Sequence, residues 1–393
     1  MTRYKNMDTP VESDHTDDAR LRVLVLFGTR PEAIKLAPII WELTNRPTSF
    51  KPIVVSSAQH KDLLHPFVRD FGLTIDHNLE VMTAGQTLSD VCARVLARLD
   101  PLLVAEQPDL VLVQGDTTTA MAGALAAFHR KIPVGHVEAG LRSGNRLSPF
   151  PEEVNRRVIT QLATLHFAAT SNNAETLARE GVDAEAIHLT GNPVVDALQR
   201  VLAEGTPSPA ITALLRDLEG RRLILLTTHR RESFGAVMEE NLRVLSDFVE
   251  RHGDVSLVFP VHPNPNVRAP TERILSGQDR VHLLEPLSYF DFIHLLSRAW
   301  LAVSDSGGVQ EEAPSLGVPL LVIRENTERP EAIETGVARL VGGSPERLAM
   351  MLDEVDRDDT WIRQVKQTPN PFGNGDARGR IIDAIECFLS KQR

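Results

Sequence analysis

The chain has 393 residues, of which 42% are apolar and 24% are charged. These are ordinary values for a soluble globular protein, and they argue against a collagen-like fibre, a long disordered chain or a membrane protein. A chain of this length usually forms two domains, or three. Acidic residues outnumber basic residues by 53 to 42, and the resulting net charge of −11 opposes broad non-specific binding to nucleic acid or anionic lipid.

The cysteine content and the N-terminal segment give expectations about the cellular compartment of the protein. Cys92 and Cys387 are too few for a disulfide framework or a cysteine metal cluster in a chain of this size, so a reducing cytoplasm is expected. Residues 1–20 contain five acids and no apolar segment. They therefore resemble neither a signal peptide nor a membrane-spanning helix, and we expect a disordered acidic extension.

Strand-like and helix-like segments alternate through the first half of the chain. The run LRVLVLF from residue 21 is almost continuously apolar, which is typical of a parallel strand covered on both faces. Residues 28–31 and a helical apolar pattern follow, so this segment predicts a strand, a loop and a helix. Pro101 is expected to end or kink a later helix. The other predicted elements are strands at PIVVSS, LVLVQ and IPVGHV, and helices near 60–71, across 88–99, after residue 116 and from residue 152.

A second series of the same kind follows residue 190. Strand-like runs occur at LILLTT, VSLVFPV, RVHLLEP, WLAVSD and VPLLVI, and each precedes a helical segment or a Gly/Pro loop. We therefore predict an α/β fold with two Rossmann-like domains, residues 21–190 and 191–376, and an interdomain cleft. Such a cleft is the usual ligand site, and open parallel sheets bind ligands at the carboxyl ends of their strands.

Two cations stand in the first predicted loop and helix. Arg30 and Lys35 lie beside a helix N-terminus, where positive charge and free backbone N–H groups suit a phosphate. Both could equally be solvated side chains of an ordinary helix. The loop matches neither the Walker A motif nor the dinucleotide-binding fingerprint.

We expect neither a cofactor nor a metal in this protein.

Acidic side chains follow the strands of the same half. Asp116 comes directly after LVLVQ and Gly115, and Glu138 ends the run IPVGHVE, so both are expected to point into the cleft. Glu152 opens a helix with Arg156 four residues later, a pair that also serves ordinary helix electrostatics. Three carboxylates that converge would push their pKa values apart and could leave one as a base and another as an acid.

The second half offers groups suited to a leaving group and a diphosphate. His229 follows LILLTT at a strand end, where the alternative interpretation is a loop histidine held by backbone hydrogen bonds. His262 lies in the stiff turn PVHPNP. The run SDSGGVQEE at 304–312 combines hydroxyls, paired glycines and a helix start, so its amides can approach a diphosphate, although an ordinary capped helix explains the same letters. Arg329 follows another strand.

Eight ordered segments make nearly the whole chain from residue 21 closely resemble the bacterial non-hydrolysing UDP-N-acetylglucosamine 2-epimerases. These segments are GTRPEAIKLAP, QGDTTT, GHVEAGLRS, PFPEEVNRR, TTHRRES, PVHPNPNVR, SDSGGVQEEAPSLG and TERPEA. The resemblance implies a glycosyltransferase-B-like fold, a C-terminal helix at 377–393 that returns to the first domain, and a homodimer. It also implies reversible conversion of UDP-GlcNAc to UDP-ManNAc by elimination and re-addition of UDP, through 2-acetamidoglucal. The product would supply ManNAc units for a surface polysaccharide.

The resemblance assigns roles to matching positions. The expected catalytic residues are the acid/base carboxylates Asp116, Glu138 and Glu152, their positioning partner Arg156, and His229 as a stabiliser of departing UDP. The residues expected to hold UDP, with Glu312 toward the ribose, are Arg30, Lys35, Phe292, Ser306, Gly307, Gly308, Glu312 and Arg329.

Many bacterial relatives bind a second UDP-GlcNAc as an activator beside the active site. The matching residues here are Gln59, His60, Arg230 and His262. Lys61 stands where many relatives have arginine. Because lysine cannot make the same bidentate contact, this regulatory contact is expected to be weaker or altered.

Three other functions fit parts of the pattern. A retaining glycosyltransferase of the same fold would share nucleotide binding, but it needs an acceptor site rather than three clustered carboxylates. A hydrolysing epimerase would release free ManNAc and UDP, and the activator-site residues argue against it. A non-catalytic nucleotide-sugar sensor would not need the carboxylates and His229 intact. We expect no partner among nucleic acids or membranes.

Overall fold

Two parallel sheets with alternating helices form the protein. The computed structural model describes residues 19–57, 67–83, 85–230 and 233–392. Of the acidic extension predicted at 1–20, residues 1–18 lie outside these ranges. Each sheet with its helices is a Rossmann-like half, so the α/β fold class predicted from the alternating pattern is confirmed.

The first sheet is built from residues 21–189. Its strands are β1 (Leu21–Phe27), β2 (Phe50–Ser56), β3 (His77–Asn78), β4 (Leu110–Gln114), β5 (Val134–Ala139), β6 (Leu165–Ala168) and β7 (Ile187–Leu189). Their order across the sheet is β3-β2-β1-β4-β5-β6-β7, and neighbouring strands are parallel.

The second sheet is built from residues 222–340. Its strands are β8 (Arg222–Thr227), β9 (Val255–Pro260), β10 (Val281–Leu284), β11 (Leu301–Ser304), β12 (Leu320–Val322) and β13 (Ala338–Leu340). Their order is β10-β9-β8-β11-β12-β13, again with parallel neighbours.

Helices connect the strands in both halves. They are α1 (Arg30–Asn45), α2 (Leu88–Glu106), α3 (Thr118–His129), α4 (Glu152–Leu162), α5 (Ser171–Arg179), α6 (Pro193–Glu204), α7 (Pro209–Asp217), α8 (Ala236–Arg251), α9 (Pro265–Leu275), α10 (Tyr289–Ser297), α11 (Gly307–Glu312), α12 (Pro330–Glu334), α13 (Pro345–Arg357), α14 (Thr360–Gln367) and α15 (Ala377–Ser390). Short 3₁₀ turns occur at Ala184–Ala186 and Ala313–Leu316. Across the four described ranges, no helix is long and apolar enough to cross a membrane.

The apolar runs that predicted strands form the centre of the sheets. Val23, Val25 and Phe27 of β1 pack into one hydrophobic cluster, whereas Leu24 and Leu26 pack into another. Because successive side chains of a strand alternate between faces, a strand covered on both faces has a continuous apolar sequence. The strands β3, β6, β7 and β13 were not predicted, since two to four residues carry too little periodicity.

The helix that contains Pro101 does not end there. Of the two expectations, that Pro101 ends the helix or kinks it, the first was wrong, because α2 continues beyond this residue; a kink stays a prediction. Val95, Leu99 and Leu103 stay buried at helical spacing on both sides of the proline, which is itself exposed. Burial of this apolar face stabilises the helix, and the carbonyl of Ala97 that loses its donor belongs to an exposed residue.

The last helix packs against the first half of the chain. α15 contacts α1 and α6, and Arg46 Nη1 lies 2.8 Å from Asp383 Oδ1. Asp196 on α6 accepts hydrogen bonds from the backbone N–H groups of Ala377 (3.3 Å) and Arg378 (3.2 Å) at the start of α15. The C-terminal helix therefore returns to the first half, whereas the domain boundaries at 190 and 376 stay predictions.

Replacing Asp196 with alanine should loosen the start of α15, because two backbone N–H groups lose their acceptor. We expect a loss of about 1 kcal/mol in the free energy of unfolding, as for other capping side chains, and faster amide hydrogen exchange in residues 377–390. Chemical denaturation and hydrogen exchange measure the two effects. Asp196→Asn keeps an acceptor oxygen and serves as the control; equal exchange in both variants would contradict the capping role.

Two buried histidines lie side by side in the first sheet. His136 on β5 is in register with His166 on β6, and His136 Nε2 donates to the carbonyl oxygen of Gly115 at 2.8 Å. Burial lowers the pKa of His136 to about 3 and the pKa of His166 to about 4. Both imidazoles therefore stay neutral in the folded protein at neutral pH.

Mild acid should destabilise the fold through these histidines. Below the ordinary histidine pKa, the unfolded chain binds protons that the folded chain excludes, so stability falls as the pH drops. Between pH 7 and pH 5 we expect each histidine to contribute a loss of about 2 kcal/mol, measured by chemical denaturation across that range. His136→Gln keeps an N–H donor and should flatten the dependence, whereas exposed His129→Gln should not. Identical slopes in all three proteins would refute this explanation.

Candidate functional site

Charged side chains from the two halves meet at the carboxyl ends of the sheets. Asp116 follows β4 and Glu138 lies near the end of β5. Gly307 begins α11 just beyond β11, and Arg329 lies beyond β12. Because both sheets are parallel, these positions belong to one edge of each sheet, where ligands of such folds bind.

Lys35 lies buried between the halves. Its Nζ is 2.6 Å from Glu138 Oε1 of the first half and 2.8 Å from Glu311 Oε2 of the second. Burial by itself lowers the pKa of Lys35, but the charges of the two carboxylates outweigh it and raise the pKa above its ordinary value. The positive charge of Lys35 is therefore already paired within the protein.

Arg329 makes a second bridge between the halves. Its Nε lies 2.7 Å from Glu311 Oε1, its Nη1 3.2 Å from Glu328 Oε2 and its Nη2 3.7 Å from Glu138 Oε1. The guanidinium packs against Gly307, where a Cβ atom would come within 2.7 Å of Nη1. Glycine at position 307 thus allows Arg329 to approach the turn after β11.

Asp116 is held by Arg156. Arg156 Nη2 and Nε lie 2.6 and 3.1 Å from Asp116 Oδ2, and Arg156 also contacts Glu153 at 3.0 Å and Glu328 at 3.7 Å. Within the described parts of the chain, no donor contacts Asp116 Oδ1. The side chain is 25% exposed, so this oxygen is accessible to a ligand.

Glu138 lies in a β-bulge. The register between β5 and β6 shifts at this residue, whose φ of 65° is uncommon outside glycine. Lys35 and the side-chain amide of Gln114 donate to its two carboxylate oxygens. Burial by itself raises the pKa of Glu138, but the charges of Lys35 and Arg329 bring it below its ordinary value, so this carboxylate stays ionised.

Glu152 begins α4 in a different electrostatic environment. Burial raises the pKa of Glu152, and the charge of Asp116 raises it further, although Arg156 opposes the shift. The Oε2 atom of Glu152 is buried and has no hydrogen-bond partner among the residues described. Two carboxyl groups therefore lie within electrostatic reach of each other, one ion-paired with Arg156 and the other biased toward its protonated form.

His229 lies just after β8 and faces Asp305. Its Nδ1 is 3.3 Å from Asp305 Oδ1, and its backbone N–H donates to Oδ2 of the same carboxylate at 3.0 Å. His262 stacks on the imidazole, with ring centroids 5.7 Å apart. The side chain of His229 is 42% exposed, so a ligand can reach it.

The turn after β11 leaves room beside its backbone. Ser306 is the N-cap residue of α11, yet its hydroxyl makes no capping hydrogen bond. A Cβ atom on Gly308 would lie 3.8 Å from Ser306 Oγ and 4.0 Å from the Glu312 carboxylate, which are ordinary contact distances. Packing therefore does not require glycine at 308. Burial raises the pKa of the adjacent Glu312 to about 7.

Arg30 and Phe292 are two further residues that were predicted to bind UDP. Arg30 Nη1 is 3.4 Å from the carbonyl oxygen of Leu287, and Arg30 forms no ion pair with a carboxylate in the described ranges. Burial lowers the pKa of Arg30, but a guanidinium stays charged at neutral pH. Phe292 is half-buried and packs against the hydrophobic core.

Of the residues predicted to bind an activator, the structure describes Arg230 and His262. Gln59 and His60, together with Lys61, lie outside the described residues. His262 lies beside His229, and the backbone N–H of Arg230 donates to Asp305 at 3.0 Å.

Sequence reasoning missed three buried carboxylates of the site. Glu311 and Glu328 bind the bridging cations, and Asp305 binds the turn that carries His229. Each directly precedes a residue that was predicted: Glu312, Arg329 and Ser306. The available signal was that each of these acids is adjacent to a residue predicted to bind UDP. This signal was insufficient, because the groups that the acids contact lie on distant segments of the chain.

A protein-family model matches most of the chain. The family described as UDP-N-acetylglucosamine 2-epimerase matches residues 42–386. The UDP-N-acetylglucosamine 2-epimerase of Escherichia coli O157:H7 is 44% identical over 371 residues, which cover 93% of this chain and 98% of that protein. The Bacillus subtilis enzyme of the same name is 43% identical over 366 residues, covering 93% and 95%.

Solved structures of relatives have the same fold. The UDP-GlcNAc 2-epimerase of Neisseria meningitidis, solved bound to UDP-GlcNAc, is 39% identical with a TM-score of 0.86 and covers 93% of this chain and 99% of its own. Staphylococcus aureus MnaA, solved with UDP, is 39% identical with a TM-score of 0.88 and covers 94% and 97%. Similarity at this level over nearly the full length of both chains shows that this protein belongs to the UDP-N-acetylglucosamine 2-epimerase family.

Proposed function

We propose that the protein interconverts UDP-GlcNAc and UDP-ManNAc by inverting C2 of the sugar. The observation that carries this proposal is a pair of carboxyl groups in unequal electrostatic environments. Asp116 is ion-paired with Arg156, whereas burial and the charge of Asp116 raise the pKa of Glu152. Inversion at a carbon that bears hydrogen requires one group to remove a proton and another to return it. The relatives solved with UDP-GlcNAc and with UDP support a nucleotide sugar as the ligand.

The diphosphate of UDP would bind at the turn after β11. The first backbone N–H groups of a helix have no partner within it, so those of Gly307 and Gly308 are available to phosphate oxygens. The hydroxyl of Ser306 is a further donor. Arg30 supplies positive charge and, although the charge of Glu312 acts on it, forms no ion pair within the described ranges. Glu312 lies beside the same turn and would bind the ribose hydroxyls.

The reaction divides into an elimination and an addition. A base takes the proton from C2, the C–H electron pair forms the C1=C2 double bond, and the C1–O bond breaks with its electrons on the β-phosphate of UDP. This step yields 2-acetamidoglucal, UDP and a protonated base. An acid then delivers a proton to the opposite face of C2 while a phosphate oxygen of UDP bonds to C1, which gives the other epimer.

Starting from UDP-GlcNAc, Asp116 would act as the base and Glu152 as the acid. Arg156 holds one oxygen of Asp116, and no donor among the described residues contacts the other, so that oxygen could accept the proton. Glu152 has a raised pKa and a buried oxygen without a hydrogen-bond partner among the described residues, so it holds a proton more readily. Glu138 keeps its negative charge beside Lys35 and would anchor the site rather than carry protons.

The remaining expectations extend this proposal. His229, exposed beside the second half of the site, would stabilise the departing UDP. A second UDP-GlcNAc would bind as an activator near Arg230 and His262, and the stacking of His262 on His229 would connect the two ligands. We further propose a non-hydrolysing homodimer in the cytoplasm that supplies ManNAc units for a surface polysaccharide.

Incubation with UDP-GlcNAc in D₂O tests the function directly. We expect UDP-ManNAc with deuterium at C2, because the returned proton comes from an acid that exchanges with solvent. NMR of the anomeric and C2 signals follows both changes. Protium retained at C2 with no new sugar nucleotide would sink the proposal, whereas free ManNAc with an equivalent of UDP would identify a hydrolysing epimerase.

Asp116→Asn and Glu152→Gln separate the two proton-handling roles. Each should lower conversion by roughly 10²- to 10⁴-fold. Only Asp116→Asn should also abolish exchange of the C2 hydrogen of UDP-GlcNAc with D₂O, since Glu152→Gln keeps the base. Asp100→Asn, which breaks an exposed pair with Arg130, is the matched control and should retain normal activity. Equal loss of exchange in both site variants would show that the roles are assigned wrongly.

A further inference from the structure

We propose that Asp305 is a positioning residue for His229, which holds the imidazole with Nδ1–H toward its carboxylate and Nε2 toward the departing diphosphate. This inference rests on the proposed function, because it needs His229 to face the leaving UDP. Asp305 directly follows β11 and precedes the turn that would bind the diphosphate. It therefore lies between His229 and that turn.

The Asp305 carboxylate is fully buried and collects donors from one short turn at 228–230. Thr228 Oγ1 donates to it at 2.8 Å, and the backbone N–H groups of His229 and Arg230 donate at 3.0 Å each. The imidazole Nδ1 of His229 lies 3.3 Å from Oδ1. Both the backbone and the side chain of His229 are thus oriented by a single carboxylate.

The charge of Asp305 determines which nitrogen of His229 carries hydrogen. Burial by itself raises the pKa of Asp305, but contacts with His229 and with the donors of Arg230 and Thr228 lower it to about 2. An ionised carboxylate only accepts hydrogen bonds, so the Nδ1 atom that faces it must carry the hydrogen. Nε2 is then the nitrogen left for the ligand.

The neighbouring histidine supports the same ring orientation. His262 stacks on His229 with an angle of 23° between the ring planes. The Nδ1 atom of His262 accepts a hydrogen bond from the backbone N–H of Asn264 at 3.2 Å, which ties this ring to its own turn. The imidazole of His229 is therefore held at its edge by Asp305 and at its face by His262.

This arrangement suits a group that meets developing negative charge. When the C1–O bond breaks, the electron pair moves onto the β-phosphate of UDP. With Nδ1–H held by Asp305, an imidazole that binds a second proton at Nε2 would donate Nε2–H to this phosphate. The carboxylate of Asp305 stabilises the positive ring without accepting its proton, as carboxylates behind catalytic histidines do. Asp305 itself touches no reacting atom.

A double-mutant cycle distinguishes positioning from a purely structural role. Asp305→Asn should lower kcat roughly 10- to 100-fold with little change in KM, because the effect falls on bond breaking rather than binding. In a His229→Asn background the same substitution should add almost nothing, since the residue through which it acts is gone. Fully additive losses would overturn the proposal. Asp254→Asn, which breaks an exposed pair with Arg222, is the control and should retain normal kinetics.

NMR of the ¹⁵N-histidine-labelled wild-type protein gives a second test that needs neither activity nor a folded Asp305 variant. We expect a protected Nδ1–H signal of His229, identified by its absence in His229→Asn. An Nε2–H tautomer with bare Nδ1 would refute the assignment. If the wild-type protein showed this signal but did not epimerise UDP-GlcNAc, the proposed function would fail while the Asp305 contact stood.

Discussion

A buried cluster of ion pairs between the two halves is the constraint on which the site depends. Lys35 lies between Glu138 and Glu311, and Arg329 joins Glu311 to Glu328. Removing one partner of a buried ion pair typically costs about 3–5 kcal/mol, because the other charge is left without compensation. The arrangement of the halves that pairs all of these groups is therefore strongly favoured, and it sets the distance between the carboxylates of the first half and the glycine turn of the second.

The same cluster refines what the net charge of −11 means for ligands. The excess of acidic residues opposes binding of an extended polyanion to the surface. Within the site, the charges of Lys35 and Arg329 are already paired with glutamates. A diphosphate would meet the amides of Gly307 and Gly308 and the charge of Arg30, which forms no ion pair in the described part of the chain. Because Glu138 and Glu311 each contact both Lys35 and Arg329, a phosphate could share either cation without leaving one of these glutamates alone.

Local patterns predicted the elements that carry the site, and they failed where the deciding contact is distant. The strand β1 and the turn at 304–308 can be predicted from residues that are adjacent in the chain. The continuation of α2 through Pro101 is not, since it depends on burial of a helix face by other elements. The bulge at Glu138 cannot be predicted from the sequence either. Its left-handed backbone accompanies a shift in the register between β5 and β6, and that register is set by pairing with a distant strand.

By itself, the sequence determined the α/β class, the positions of the longer strands, the family and most side chains at the edges of the sheets. Those features follow from apolar periodicity and from motifs whose residues are near one another in the chain. Only the tertiary structure decided that Lys35 is already paired, that Glu138 and Glu152 differ in electrostatic environment, and that Asp305 lies behind His229. The physical reason is that charge state and orientation depend on burial and on distances of a few ångströms between segments far apart in sequence, which no local pattern reports.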